Sequence, residues 1–361
     1  MAGFFDKNTL QNIIDYSLII GLLGFVGYFI YSLIMANRDK NSIVKPPPFD
    51  DTPNASQRAQ LSAIEGTATS SAIKNASFSA TNDNALRHYF IKASSNSAYT
   101  GGYMNLNMIK YVLSKGCRFL DFEIYMKDNV PIVAYNTNRR ALETFSSDPP
   151  AVSFGGVCST IISNAFSELS PNPNDPLFLH LRIKSYDSSA YSSVANTIKS
   201  TLSDKLYTET DGTAVPVTLD TQIPDMFGKI VILIDQHSSP GYKNYSVCGE
   251  DQGPECVGLS NVVNMVSNGQ SVRTYIENDL TYQPINPPDP NVYLFRIVYP
   301  NLGFFDYTYN CAPHYLIENY GTQVIAQAYY VNDANLRIYN DIFSKNKSAF
   351  VRMENLLNSY E

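Results

Sequence analysis

The sequence has little charge and no strongly basic segment. Only 16% of its 361 residues are charged, and the formal net charge is −7. Nucleic-acid-binding proteins concentrate Lys and Arg into a basic stripe, so this composition argues against a nucleic-acid partner. The same acidic balance disfavours simple electrostatic docking onto anionic lipid. Tryptophan is absent while tyrosine is abundant, with 26 residues, and nothing in the sequence explains this imbalance.

The five cysteines include no Cys-x-x-Cys pair. A structural zinc site is therefore not expected. Two interpretations of the cysteines stay open. Either Cys248 and Cys256, which flank a short polar loop, close it as a disulfide, or all five remain free thiols.

One long uncharged segment lies near the amino end. The 21 residues from Tyr16 to Ala36 carry no charge, and a helix of this length reaches about 30 Å, the thickness of a bilayer core. A cleaved signal peptide fits less well, because its apolar region is typically about 7–15 residues long and ends in a small-x-small site. We therefore predict a tail at 1–15 and a transmembrane helix at 16–36 that contacts the lipid bilayer.

The charges that flank this segment predict its orientation. Lys7 alone precedes it, whereas Arg38, Lys40 and Lys45 follow it. Under the positive-inside tendency, the large carboxyl-terminal domain lies on the cytoplasmic side. Four Asn-x-Ser sequons favour the opposite orientation, although such triplets arise by chance in a chain rich in Asn and Ser. The sequons begin at Asn54, Asn75, Asn244 and Asn346.

The stretch 37–85 is rich in Ser, Ala, Asn and Thr and contains three consecutive prolines at 46–48. It has no sustained apolar periodicity. We therefore predict a tether that is stiff at the prolines and flexible beyond them, with a short helix near 56–66 compatible with its sequence.

From residue 86 onward, strand and helix patterns alternate. Helical patterns occupy 108–116, which Gly116 ends, and 193–206. This alternation favours a parallel α/β barrel over a doubly wound sheet. The strand patterns are HYFIKASS, CRFLDFEIYM, VPIVAYN, LFLHLRIKS, KIVILID, NVYLFRIVY and TQVIAQAYYV.

Several of these stretches carry a family resemblance. HYFIKASSNSAYTGG and GCRFLDFEIYMKDNVPIVAYN open the domain, and 296–343 contains a Tyr-Pro, an Asn-x-x-Pro and a Gly-x-Gln before an apolar strand. They resemble the X and Y halves of eukaryotic phosphoinositide-specific phospholipase C, and GLSNVVNM resembles the start of the Y half. The resemblance implies a TIM-type (β/α)8 barrel with an X-like half at 86–235, a connector at 236–257 and a Y-like half at 258–361.

The chemistry of that family needs two histidines, a general base and a group that stabilises the transition state and protonates the leaving group. The position of the first is Asn96, in Ser-Ser-Asn-Ser, and that of the second is Tyr135, four residues after Pro131. An amide has no useful proton equilibrium at neutral pH, and tyrosine ordinarily titrates near about pH 10. Both catalytic histidines are therefore expected to be missing.

The family also binds calcium, and its ligands are altered here. The family's Asn corresponds to Ser97, its Glu-x-Asp pair is swapped to Asp121 and Glu123, and its last Glu aligns with Arg182. Asp121 and Glu123 share one face of a strand; without the resemblance they would pass for a polar surface edge. Calcium needs anionic oxygen ligands, so we expect no metal and no other cofactor. Arg182 is expected to pair with the two carboxylates instead.

Phosphate-binding positions are altered as well. Two lysines of the family correspond to Leu233 and Asp235. Arg296 resembles an arginine that contacts a ring phosphate, but it precedes Pro300 by four residues instead of three, so a structural or solvated arginine is the alternative. Of the four histidines, His180 is the one expected to face the barrel lumen, where it is a weak candidate for a displaced base.

These substitutions predict a membrane-anchored, non-catalytic phospholipase C-like protein that serves as a binding or structural component of a virion or organelle membrane. Its expected partner is an inositol lipid or a protein. The alternative is an active phosphoric diester hydrolase whose rearranged, metal-independent site uses His180 with Asp121 and Glu123. A carbohydrate-binding barrel is a third interpretation, supported by the tyrosine abundance alone.

Overall fold

The computed structural model describes residues 26–27, 51–66, 72–81, 83–136, 151–248, 257–281, 294–301 and 309–357. The chain divides into two compact units, Met1–Pro48 and Phe49–Glu361. Of the first unit only Val26 and Gly27 are described, and both are helical. The predicted transmembrane helix at 16–36 otherwise lies outside the described residues. Within those residues, no helix has the length and apolar character needed to cross a bilayer.

Eight parallel strands of the second unit form a nearly closed barrel. The strands described in the unit are β1 (Tyr89–Ser94), β2 (Phe119–Lys127), β3 (Val130–Val133), β4 (Val152–Ser153), β5 (Leu177–Ile183), β6 (Ile230–Asp235), β7 (Met265–Ser267), β8 (Val272–Ile276), β9 (Phe295–Tyr299), β10 (Val324–Gln327) and β11 (Phe350–Arg352). The barrel strands pair in the order β7-β6-β5-β2-β1-β10-β9-β8, and each of these pairings is parallel. β3, β4 and β11 lie off this path and pair antiparallel. The barrel seam therefore lies between β7 and β8.

Helices connect many of these strands and bury their apolar faces. The helices described in the unit are α1 (Ala55–Gly66), α2 (Leu106–Ser114), α3 (Phe154–Ala165), α4 (Ser188–Leu202), α5 (Tyr242–Tyr245), α6 (Glu277–Thr281), α7 (Pro313–Tyr320), α8 (Ala334–Asn346) and α9 (Met353–Leu357). Polar side chains cap four of them: Asn105, Ser153, Asp187 and Asp333 each accept a hydrogen bond from a backbone N–H of the first turn. Such caps satisfy N–H groups that have no partner within the helix.

The strand patterns read from the sequence coincide with β1, β2, β3, β5, β6, β9 and β10. The helix predicted at 193–206 begins earlier, at Ser188, because the Asp187 side chain caps it there. The helix predicted at 108–116 is α2, and Gly116 follows it with a φ of 81°. The parallel barrel expected from the alternation is therefore present, while the short strands β7 and β8 were not delimited by the sequence patterns.

Part of the segment predicted as a tether packs onto the barrel instead. The expected short helix is α1, whose Leu61 is buried. The Asp51 carboxylate accepts hydrogen bonds from the Ser153 backbone N–H (2.7 Å) and hydroxyl (2.5 Å). Farther along, Ile73 is buried beneath Gly116. Composition alone missed this docking because the few apolar residues involved have no regular spacing.

The cysteines divide into two groups. Cys117, Cys158 and Cys311 are buried and are not disulfide-bonded, whereas Cys248 is disulfide-bonded. The interpretation of five free thiols is therefore wrong. Cys256, the expected partner of Cys248, lies outside the described residues.

Candidate functional site

Two neighbouring strands carry the charged residues of the site into the barrel lumen. In the parallel register of β2 and β5, Asp121 lies beside His180 and Glu123 beside Arg182. Because side chains alternate along a strand, these four residues point to the same side of the sheet. All four are buried, with Arg182 the most exposed at 9%.

The Arg182 guanidinium binds both carboxylates. Its Nε and Nη2 donate to the two oxygens of Asp121 at 2.9 and 2.5 Å, and its Nη1 donates to Glu123 Oε1 at 2.6 Å. Nη2 also donates to Asn96 Oδ1 at 3.0 Å. The pairing expected between Arg182 and the two acids is therefore present, and the contact with Asp121 is bidentate.

His180 lies deeper in the barrel and both of its ring nitrogens have partners. Nδ1 is 2.9 Å from Asp121 Oδ1 and 2.7 Å from the Tyr299 hydroxyl, and Nε2 is 3.0 Å from the Ser267 hydroxyl. The side chain has no solvent exposure. The sequence prediction that His180 faces the lumen is confirmed, although it lies behind the guanidinium.

The buried charges shift one another's proton equilibria. Burial by itself would raise the pKa of the Asp121 carboxyl, but the Arg182 guanidinium and His180 outweigh it and hold that pKa well below its usual range. Burial likewise opposes the charge of Arg182, and the two carboxylates reverse this effect, so its pKa lies above the ordinary value. Asp121 and Arg182 are therefore a charged pair at neutral pH.

A pocket of about 330 Å³ opens at the mouth of the barrel above this cluster. Its charged lining comprises the cations Arg182 and Lys184 and the acids Glu123, Asp235 and Asp279. Lys184 Nζ is 3.8 Å from Glu123 Oε2, and burial lowers the pKa of Lys184. The pocket has both polar and aromatic walls, and its cations face acidic neighbours.

The remaining predicted site residues divide between the pocket and the barrel wall. Asn96 and Tyr135 line the pocket, and the Tyr135 ring packs against Tyr99 at 4.3 Å between centroids. Ser97 is buried in the barrel wall. The Ser97 hydroxyl accepts a hydrogen bond from the Asp121 backbone N–H at 3.0 Å. Arg296 and Tyr299 are three residues apart on β9, so their side chains lie on opposite faces of the strand. Because Tyr299 faces the lumen, Arg296 points away from it.

Asn96 has a conformation that suits its residue type. Its φ is 41°, in the left-handed region, which Asn enters at less cost than most residues. The Asn96 backbone N–H donates to Asp121 Oδ2 at 3.0 Å. The residue at the expected histidine position therefore orients the carboxylate that Arg182 binds.

Other parts of the cluster were not found by sequence reasoning. The Tyr299 hydroxyl donates to Asp121 Oδ1 at 3.1 Å, and the Tyr125 hydroxyl donates to Glu123 Oε2 at 2.6 Å. Tyr125 could have been found, since it follows Glu123 by two residues on the same strand face. Tyr299 and Ser267 could not, because only barrel closure brings β9 and β7 to Asp121 and His180.

The cluster contains two acids and one buried histidine. In the part of the chain that the structure describes, no three His, Cys, Asp or Glu side chains are arranged to hold a metal ion. What the arrangement offers chemically is a closed network of hydrogen bonds around one guanidinium.

Comparison with known proteins identifies the class. Residues 82–235 match the family model of the phosphatidylinositol-specific phospholipase C X domain. The solved structure of PLC21 from L. pealei shares 18% identity and a TM-score of 0.56, over 75% of this chain and 38% of that one. PLC21 from S. officinalis shares 18% identity and a TM-score of 0.55, over 77% of this chain and 38% of that one. No curated protein matches the chain.

The nearly closed parallel barrel thus has the fold of a phospholipase C catalytic barrel, although the matched region covers less than half of each PLC21 chain. Residues 82–235 thus match the X domain of phosphatidylinositol-specific phospholipase C, and the fold supports a protein of that type.

Proposed function

We propose that this protein is a membrane-anchored phospholipase C-like barrel that acts by binding and does not cleave phosphodiesters. One observation carries the proposal: the Arg182 guanidinium lies between Asp121 and Glu123, bonded to both. The positions of Asp121, Glu123 and Arg182 correspond to three acidic calcium ligands of the phospholipase C family that the sequence resembles.

The residues present do not fit calcium. The ion takes about 6–8 oxygen ligands at about 2.3–2.6 Å. Both Asp121 oxygens and one Glu123 oxygen already accept hydrogen bonds from Arg182. A divalent ion placed there would also face a fixed positive charge in a poorly solvated site, where Coulomb repulsion is strong.

The two positions at which the family carries its acid–base histidines hold other residues. Asn96 and Tyr135 line the pocket at the two expected histidine positions. The alternative hydrolase needs His180 as base, but this side chain is fully buried and is not among the pocket-lining residues. Its two nitrogens are engaged by Asp121, Tyr299 and Ser267. A substrate in the pocket would meet Arg182 before His180.

The calcium half of the proposal has a direct test. Calcium is titrated calorimetrically into the full chain in neutral detergent micelles, and we expect no saturable heat. Arg182→Glu restores a third carboxylate beside Asp121 and Glu123 and is expected to gain calcium binding and a calcium-dependent rise in unfolding temperature. Arg182→Gln, which removes the cation without adding an acid, is the matched control. Saturable calcium binding by the unaltered protein at this site would refute the proposal.

The catalytic half is tested by diacylglycerol release from phosphatidylinositol in mixed micelles. We expect none above the buffer rate with or without calcium. Release that His180→Gln abolishes while Arg337→Gln, at an exposed position on α8, leaves intact would favour the rearranged hydrolase instead.

Anchoring is proposed from the uncharged segment at 16–36, with the barrel on the cytoplasmic side of a virion or organelle membrane and an inositol lipid or a protein as its partner. Flotation of the full chain with neutral phosphatidylcholine vesicles through alkaline carbonate tests the anchor. The double variant Leu22→Lys, Val26→Lys should lose flotation, because each charge at a helix centre costs about 2.5–3.5 kcal/mol of insertion free energy. Retained flotation of that variant would count against a spanning helix.

A further inference from the structure

A second pocket, of about 360 Å³, adjoins the barrel mouth. It shares His237 and Thr274 with the mouth pocket. Asn268 follows β7 and Arg273 lies in β8, so this pocket lies at the barrel seam. Its lining residues are Gln236, His237, Lys243, Asn268, Arg273 and Thr274.

The two pockets differ in charge. The cations of the mouth pocket face acids, as described above. Among the described residues, the lining of the seam pocket includes Lys243 and Arg273 and neither Asp nor Glu. None of the ion pairs formed by the described residues involves either cation, and both side chains are exposed. By the charges of its described lining residues, the seam pocket therefore favours an anion more than the mouth pocket does.

The wall of the seam pocket is held by a hydrogen-bond network. Asn268 Nδ2 donates to Asp235 Oδ1 at 2.8 Å and to the Thr274 hydroxyl at 2.6 Å, and Asn268 Oδ1 accepts from the Thr274 backbone N–H at 3.0 Å. Asp235 Oδ1 also accepts from the His237 backbone N–H at 2.8 Å. Asp235 thereby fixes the loop after β6, and this polar part of the pocket wall is preorganised.

We propose that the seam pocket binds a phosphate monoester group. A guanidinium and an ammonium supply donors that match phosphate oxygens, and the Gln236 amide adds a neutral donor. The group has two sources, a lipid headgroup or a soluble phosphate ester. This site goes beyond the loss of catalysis and does not depend on it, because none of its cations belongs to the Arg182 cluster.

The test titrates the full chain in neutral detergent micelles at constant ionic strength. One arm adds inorganic phosphate, and the other exchanges phosphatidylcholine in the micelle for phosphatidic acid. Binding is followed calorimetrically. Arg273→Gln and Lys243→Gln should each weaken binding about tenfold, and the double variant should abolish it. The controls are Arg337→Gln and Lys110→Gln, which change exposed cations elsewhere and should bind as the unaltered protein does.

Each outcome decides a point. Seam-dependent binding in both arms supports a site for soluble or lipid phosphate, and binding in the phosphatidic acid arm alone assigns the headgroup. No binding in either arm, or binding that the two seam variants leave unchanged, overturns the proposal. This experiment measures neither calcium binding nor diacylglycerol release. The phosphate-site proposal can therefore fail while the non-catalytic proposal stands, and the non-catalytic proposal can fail while the phosphate site stands.

Discussion

Replacing Arg182 by methionine tests whether its charge organises the site. The change keeps much of the side-chain volume and leaves two carboxylates buried without their cation. Side-chain exposure is 0% for Asp121 and 2% for Glu123. Removing one partner of a buried ion pair costs about 3–5 kcal/mol, because the other charge stays buried and uncompensated. We expect a loss of this size in the free energy of unfolding at neutral pH.

The pH dependence distinguishes lost charge from lost packing. In the unaltered protein the folded pKa of Asp121 lies below its ordinary value of 3.8. Its contribution is therefore complete above that value and is lost as the pH falls below it. Without Arg182, burial raises the pKa of the same carboxyl, so the variant gains stability relative to the unaltered protein as acidification protonates it. The penalty should be largest near about pH 7 and shrink by at least about 1 kcal/mol near about pH 4.5.

Urea unfolding of the full chain, followed by far-ultraviolet circular dichroism at both pH values, measures the effect. Arg337→Met, at an exposed position on α8, is the control and should stay within about 0.5 kcal/mol of the unaltered protein. An Arg182→Met penalty below about 1 kcal/mol at neutral pH, or one that is equal at both pH values, would show that the ion pair does not have the role assigned to it.

Three further changes probe the surrounding fold. Lys92 is fully buried, and burial lowers its pKa from the ordinary 10.5 to about 8. Its charge therefore opposes folding below about pH 8. The unaltered protein gains stability as the pH rises from about 8 toward 10.5, because the folded state loses the proton first. Lys92→Met should therefore be more stable at neutral pH, with an advantage that declines near about pH 9.5 in urea midpoints; a variant that is less stable at neutral pH would contradict this. Gly116 has a φ of 81°, and an added Cβ would lie 2.8 Å from the buried Ile73 side chain. Gly116→Ala should therefore lower the free energy of unfolding, measured by thermal unfolding, by at least about 1 kcal/mol. The control Gly155→Ala, at a helix position with open space, should be neutral or stabilising. Asp51→Ala removes two hydrogen bonds to Ser153 and should speed proteolytic cleavage within 51–66; unchanged cleavage would mean that the segment is held by its apolar contacts alone.

The sequence carried much of the fold because strand patterns are local. β6 is a continuous apolar run, β2 and β5 carry polar residues at alternate positions, and the structure has all three strands where the patterns lie. The same alternation put Asp121 with Glu123 and His180 with Arg182, one pair on each strand. The docked residues 51–66 were missed because their attachment depends on single polar contacts such as Asp51 with Ser153, which leave no periodic signal.

The sequence by itself determined which residues alternate into the lumen, the opposite charges at Asp121 and Arg182, and the absence of histidine at positions 96 and 135. Only the tertiary structure decided how they meet. Pairing of β2 with β5 brought Arg182 to both acids, and barrel closure brought the Tyr299 hydroxyl to Asp121 across 178 positions of sequence. It also brought Lys243 and Arg273 to one pocket at the seam. Side-chain direction follows from local backbone geometry. Strand register and barrel closure depend on pairing between strands far apart in sequence, which leaves no local sequence signal.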